Sequence, residues 1–149
     1  MKIVIGCDHA AYELKEAVKA KLEGEGYEVM DVGCHSTESV DYPKYGHAVG
    51  KAVASGEADR GIAICGTGIG ISLVCNKYKG IRCALCTNEF MAKMCRQHND
   101  AQILAFGERV VGLGVALGMI DAFFEEEFAG GRHATRVNGI KEIEEKHFK

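Results

Sequence analysis

Cys65 ends an apolar run and is followed by glycines at 66, 68 and 70, in the stretch AICGTGIGIS that spans residues 63–72. Glycine lets the backbone take positive φ and brings main-chain amides close to a ligand. Where such a loop opens a helix, the first amides are unpaired and carry partial positive charge, which suits a phosphate or a developing oxyanion. A thiol at the mouth of that field is favoured as its thiolate. Because a free thiol titrates near about 8.5, modest electropositive help makes it a usable base at neutral pH. A buried strand cysteine before a tight turn fits the same letters, so phosphate cradle, nucleotide fingerprint, redox site and catalytic base stand as alternatives at this point.

Spacing removes several of them. A Walker-type phosphate loop ends in Gly-Lys-Ser/Thr, whereas Gly70 is followed by Ile71 and Ser72. The dinucleotide fingerprint needs its third glycine at position 71 and follows the first strand, where this chain reads GCDHAA. Cys83 and Cys86 form a C-x-x-C pair, but inside an expected strand, where residues three apart face opposite ways. Cys95-x-x-His98 is a single pair with no second pair to complete a metal site, and no H-E-x-x-H motif occurs. No metal and no cofactor are expected.

Other polar residues fall at element ends. Asp8 and His9 stand together after the first expected strand; capping a helix explains Asp8 but leaves His9 over. His98 and Asn99 close a helix, where a histidine also serves as a dipole partner. Arg109 follows the last strand, and Arg132 and Arg136, four apart, share a face if their segment is helical. Three arginines converging on one group would clamp a phosphate by forked, charge-assisted hydrogen bonds. A thiol base, an oxyanion hole, histidines that move protons near neutral pH and an arginine clamp suit proton abstraction beside a carbonyl in a small phosphorylated molecule.

The elements that must position these residues read as a parallel α/β sheet, with Val/Ile-rich runs alternating with stretches of helical period. Strands are expected over 2–7, 27–32, 60–65, 82–86 and 102–106, and helices over 10–23, 45–54, 69–76, 89–98 and 113–128. In the first helix Leu14, Ala17, Val18 and Leu22 make the apolar stripe, and Lys15, Glu16, Lys19 and Glu23 are expected to face water. The expected fold is a single-domain, doubly wound (Rossmann-like) three-layer sandwich with a five-stranded parallel sheet and a C-terminal helical arm over about 130–149. Ligands of such sheets bind beyond the carboxyl ends of the strands, where the winding reverses.

Bulk properties narrow the function. The 149 residues make one domain, with 47% hydrophobic and 26% charged residues. A net charge of −3 gives no basic footprint for nucleic acid. The longest apolar stretch, 110–124, contains Asp121 and falls short of a membrane span. The apolar run at the N-terminus is too short for a secretory signal. Seven cysteines, an odd number, are expected as free thiols in a reducing cytoplasm.

Seven blocks in series, GCDHAA, DYPKYG, CGTGIGIS, CNKYKGIRCA, RQHNDA, LAFGERVVG and GGRHATRV, resemble the type B ribose-5-phosphate isomerases of the ribose/galactose isomerase family. The resemblance runs from the first strand to about Val137. It implies an aldose–ketose isomerase that interconverts ribose 5-phosphate and ribulose 5-phosphate through a cis-enediolate without metal. It implies Cys65 as the base, the amides from Gly66 through Gly68 and Ile69 to Gly70 with the Thr67 hydroxyl as the enediolate cradle, and His98 as the ring-opening proton donor beside Asn99. Asp8 and His9 would hold the sugar, Tyr42 would line the pocket, and Arg109, Arg132 and Arg136 would bind the phosphate. One family branch uses a glutamate past the glycine loop; Ile71-Ser72 offers no carboxylate, so Cys65 stands. The resemblance also implies a homo-oligomer, dimer or tetramer, with sites shared between subunits. Rival readings are the same chemistry on allose or galactose 6-phosphate, a non-catalytic sugar-phosphate sensor, and a thiol redox protein using Cys83 and Cys86.

Overall fold

A computed structural model describes residues 1–148. In chain order the elements are β1 (Lys2–Cys7), α1 (Tyr12–Gly24), β2 (Glu28–Gly33), α2 (Tyr42–Ala54), β3 (Arg60–Cys65), α3 (Ile69–Cys75), β4 (Cys83–Leu85), α4 (Glu89–Gln97), β5 (Ile103–Gly107), α5 (Leu113–Glu125) and α6 (Arg132–His147). The five strands form one sheet in the order β2-β1-β3-β5-β4, every pair parallel. The winding reverses between β1 and β3, which places the loops after Cys7 and after Cys65 side by side at the crevice.

Strand alternation divides the core between the two faces of the sheet. Ile3, Ile5, Ile62, Ile64, Leu104 and Phe106 pack under α1, α4 and α5 through Leu14, Val18, Leu22, Ala92, Met119 and Phe123. Val4, Ala63, Cys65, Ile103 and Ala105 pack under α2 and α3 through Val49, Ala52, Ile71 and Cys75. Cys83 lies with the second group and Cys86 with the first, on opposite faces as their spacing predicts.

Several boundaries differ from expectation for local reasons. Asp8 Oδ1 accepts from Ala10 N at 3.1 Å and caps a 3-10 turn, His9–Ala11, so α1 proper begins at Tyr12. The second helix starts three residues before the expected 45, at Tyr42, with Pro43 in its first turn, a position where a missing N–H costs nothing. The helix expected over 113–128 stops at Glu125, where Glu125, Glu126 and Glu127 gather negative charge at the negative end of the helix dipole. Glu126 instead takes a hydrogen bond from Gln97 at 2.6 Å.

Lys15 departs furthest. Periodicity puts it on the solvent face of α1, yet it is fully buried. Its ammonium donates to both carboxylate oxygens of Asp31 on β2, at 3.0 and 2.9 Å, and to the Cys34 carbonyl at 2.6 Å. Burial works against each charge, but the hydrogen bonds and mutual attraction outweigh it. The Lys15 ammonium therefore sits above the ordinary lysine range and the Asp31 carboxyl below the ordinary carboxylate range.

The signs of those shifts set a pH window. The depressed Asp31 contributes stability that is complete above the unfolded carboxylate value of about 3.9 and fades as pH falls through its lowered value. The raised Lys15 contributes fully below about 10.4 and loses its part only as pH rises through its raised value. Lys15→Met should therefore cost about 3 kcal/mol at pH 7, the low end for breaking a buried pair because Lys19 also reaches Asp31 at 3.3 Å. Urea unfolding should show that deficit shrinking toward acid pH.

Candidate active site

The loop after β3 is held in a close-packed form by its neighbour β5. Gly68 has φ +82°, and a Cβ there would stand 2.6 Å from the Phe106 main chain. A Cβ on Gly107 would overlap the Thr67 carbonyl carbon. Main-chain bonds from Glu108 N to Cys65 O and from Arg109 N to Gly66 O, both 2.9 Å, tie the loop to the end of β5. These approaches explain the glycines at both ends of the contact in terms of space rather than flexibility.

Within that frame the Gly68 amide donates to Cys65 Sγ at 3.1 Å, fixing the sulfur at the start of α3. The Ile69 amide is turned onto the Thr67 hydroxyl at 3.2 Å. Two of the amides expected to cradle an oxyanion are thus engaged inside the loop. The first intrahelical bond of α3 runs from Ser72 N to Gly68 O at 3.1 Å, so the Gly70 amide lies ahead of the ladder. A Cβ on Gly70 would stand 2.6 Å from the Tyr42 ring, which therefore lies flush on the loop.

Asp8, His9, Tyr42, Cys65, Gly66, Thr67, Ile69, Gly70 and Arg109 line one cleft of about 520 Å³, in the range of small-molecule sites. Ala10 and Leu73 complete its wall; neither was legible as a site residue, since each is an apolar residue in a helical run. The Arg109 guanidinium lies against Gly66, 3.4 Å from where a Cβ would be. Val40 N donates to His9 Nδ1 at 3.0 Å.

His98, Asn99, Arg132 and Arg136 are elsewhere. The thiol stands at the carboxyl ends of the strands, level with Gly107. His98 ends α4 and precedes β5, so it lies at the amino ends. At about 3.3 Å per residue, roughly 16 Å of strand separates the two ends. The His98 ring stacks on His133, centroids 4.1 Å apart and planes 9° from parallel, which gathers the start of α6 around it. Arg132 and Arg136 are exposed there, one turn apart. Burial, then the charges of His98, Arg132 and Arg136, push His133 below the ordinary histidine range. His133 was missed in the sequence because only its stacking marks it. One chain therefore carries a thiol cleft and a separate histidine–arginine cluster. Among the described residues no group of three or more metal-ligating side chains is gathered, and no helix is long and apolar enough to cross a membrane.

Residues 3–140 match the family model described as Ribose/Galactose Isomerase. The chain belongs to the ribose/galactose isomerase family. Within it, ribose-5-phosphate isomerase B of Escherichia coli is 49% identical over 145 residues, 97% of each chain. The solved structure of Clostridium thermocellum ribose-5-phosphate isomerase B superposes with a TM-score of 0.97 at 60% identity over 99% of both chains. That of the Mycoplasma genitalium isomerase with bound ribulose-5-phosphate has a TM-score of 0.94 at 33% identity over 97% of both chains. Family membership thus agrees with the seven blocks read from the sequence.

The contact between β5 and the glycine loop can be tested directly. Gly107→Ala should push the Thr67 main chain away and displace the thiol by a fraction of an ångström or more. Turnover on sugar phosphates should fall roughly 100-fold, the scale of such misplacements, while circular dichroism shows a folded protein.

Proposed function

We propose that the chain is an aldose–ketose isomerase that interconverts D-ribose 5-phosphate and D-ribulose 5-phosphate. The observation that carries the reading is the buried Cys65 thiol, held by the Gly68 amide in the wall of a sugar-sized cleft that Arg109 also lines. The names of the similar isomerases from Escherichia coli, Clostridium thermocellum and Mycoplasma genitalium support the substrate.

The chemistry follows from the placement. In ring opening the C1–O bond to the furanose oxygen breaks as that oxygen gains a proton, the task assigned to His98, while the C1 hydroxyl gives up its own proton, so that the C1 aldehyde forms with no net change in protons. The Cys65 thiolate removes the C2 proton, and the electron pair flows into the C1–C2 bond and onto O1. On this reading the resulting cis-enediolate lies against the loop, and the Gly70 amide and Thr67 hydroxyl stabilise its oxygens. A proton passes from O2 to O1, and the Cys65 thiol returns its own proton to C1, giving the ketose. Base, intermediate and acid balance without an external oxidant, reductant or metal.

Because one chain holds the thiol and the imidazole at opposite ends, the reading includes a second copy. The copy supplies His98 and Asn99 for ring opening, and Arg132 and Arg136 join Arg109 on the phosphate. Seven cysteines without a disulfide among the described residues suit a reducing cytoplasm.

Purified protein should convert ribose 5-phosphate to ribulose 5-phosphate in the presence of a metal chelator. Turnover restricted to hexose 6-phosphates would replace the substrate, and none on either sugar would overturn the enzyme reading. Cys65→Ala should lower kcat roughly 100- to 10,000-fold, the usual worth of a general base, with ribulose 5-phosphate binding kept by calorimetry. The shared site has its own test. Two inactive variants, Cys65→Ala and His98→Ala, unfolded together and refolded as a mixture, should recover about one quarter of wild-type activity, because random pairing restores one intact site in each mixed dimer.

A further inference from the structure

His9 meets the cleft with its proton already assigned. A main-chain amide can only donate, so the 3.0 Å bond from Val40 N to His9 Nδ1 makes Nδ1 the acceptor and puts the ring hydrogen on Nε2. Val40 lies near the end of the loop over 34–41, which leads from β2 to α2 and whose residues 35–39 are exposed. Two weak bonds of 3.3 Å, from Cys34 Sγ to Ser36 O and from Glu38 N to Ser36 Oγ, lie within it, and Val40 packs against the core at its far end, so its near end is set by its base on the sheet.

That base is unusual. The first loop residue, Cys34, gives its amide to Cys7 O at 2.8 Å and receives the fully buried Lys15 ammonium on its carbonyl at 2.6 Å. Asp31, which neutralises that ammonium, also accepts the Gly33 amide at 2.9 Å. The ion pair thus grips three points within four residues, Asp31, Gly33 and Cys34, where the chain leaves the sheet. A hydrophobic pair of similar volume would often serve stability as well as or better than a buried ion pair. The carbonyl of Cys34, however, needs a donor, and only a polar group can steer the chain at that point.

We propose that Lys15 is a positioning residue for the sugar-phosphate reaction. By anchoring the base of the 34–41 loop it keeps the Val40 amide on His9 Nδ1, and so keeps His9 in the Nε2–H form that donates to a sugar oxygen in the cleft. The opposite tautomer would offer only a lone pair there, which accepts from a hydroxyl but cannot donate to a ring or carbonyl oxygen. The inference rests on the reading that a sugar phosphate occupies this cleft, but its structural half does not need substrate.

The test uses the full chain with ¹⁵N-labelled histidine and two-bond proton–nitrogen correlation spectra, which read the protonated ring nitrogen. The His9 signal is assigned by its loss in His9→Gln. Without substrate, wild-type His9 should show a bare Nδ1 and a protonated Nε2. The double variant Lys15→Met/Asp31→Asn removes both charges together, and its His9 signal should become a tautomer mixture. Its kcat/KM for ribose 5-phosphate should fall roughly 10- to 100-fold, on the order of one lost hydrogen bond to the reacting sugar. Val40→Pro, which deletes the donor itself, should give the same mixture and covers the case in which the double variant does not fold. A single Nε2–H tautomer persisting in either folded variant, or an Nδ1–H form in the wild type, overturns the proposal. A wild-type protein with the expected tautomer but no isomerase activity would remove the functional reading and leave the loop mechanism standing.

Discussion

A parallel sheet has two unlike ends, and that constraint governs this molecule. Each strand hands its chain to the following loop at the same edge, so the residues after β1, β3 and β5 meet without any long excursion. Asp8 and His9, Cys65 and its glycines, and Arg109 arrive together because they all follow strands. Residues that end helices are carried to the other edge by the same rule, and His98 goes with them. The division of the candidate residues into two groups is a property of winding rather than of any local contact.

This is also where reading residues one by one reached its limit. Each block could be recognised, and the strands at 2–7 and 60–65 coincide with those observed because buried parallel strands are continuous Val/Ile runs. The glycine positions were legible as a turn. Their cause was not, because the Phe106 and Gly107 backbone that crowds Thr67 and Gly68 is some forty residues away in sequence. Nor could a linear pattern say that Cys65 and His98, both present in one chain, stand at opposite edges; that needs the topology.

Lys15 illustrates a different failure. Helical periodicity assigns a face by polarity, and a lysine flanked by Glu16 and Lys19 belongs by that criterion to water. The partner that reverses the assignment, Asp31, sits on the edge strand β2. A buried charge is invisible to periodicity because the compensating charge lies on another element. His133 was hidden for a similar reason, since stacking on His98 joins α6 to the end of α4.

The distance between the two clusters has a consequence for how the protein behaves in dilute solution. On the shared-site reading, a solitary chain is a folded but silent object. Its specific activity then depends on how many chains are present, rising with the occupancy of pairs and vanishing where pairs fall apart. Expression level thereby acts as a threshold: below it, adding molecules adds protein mass but almost no flux.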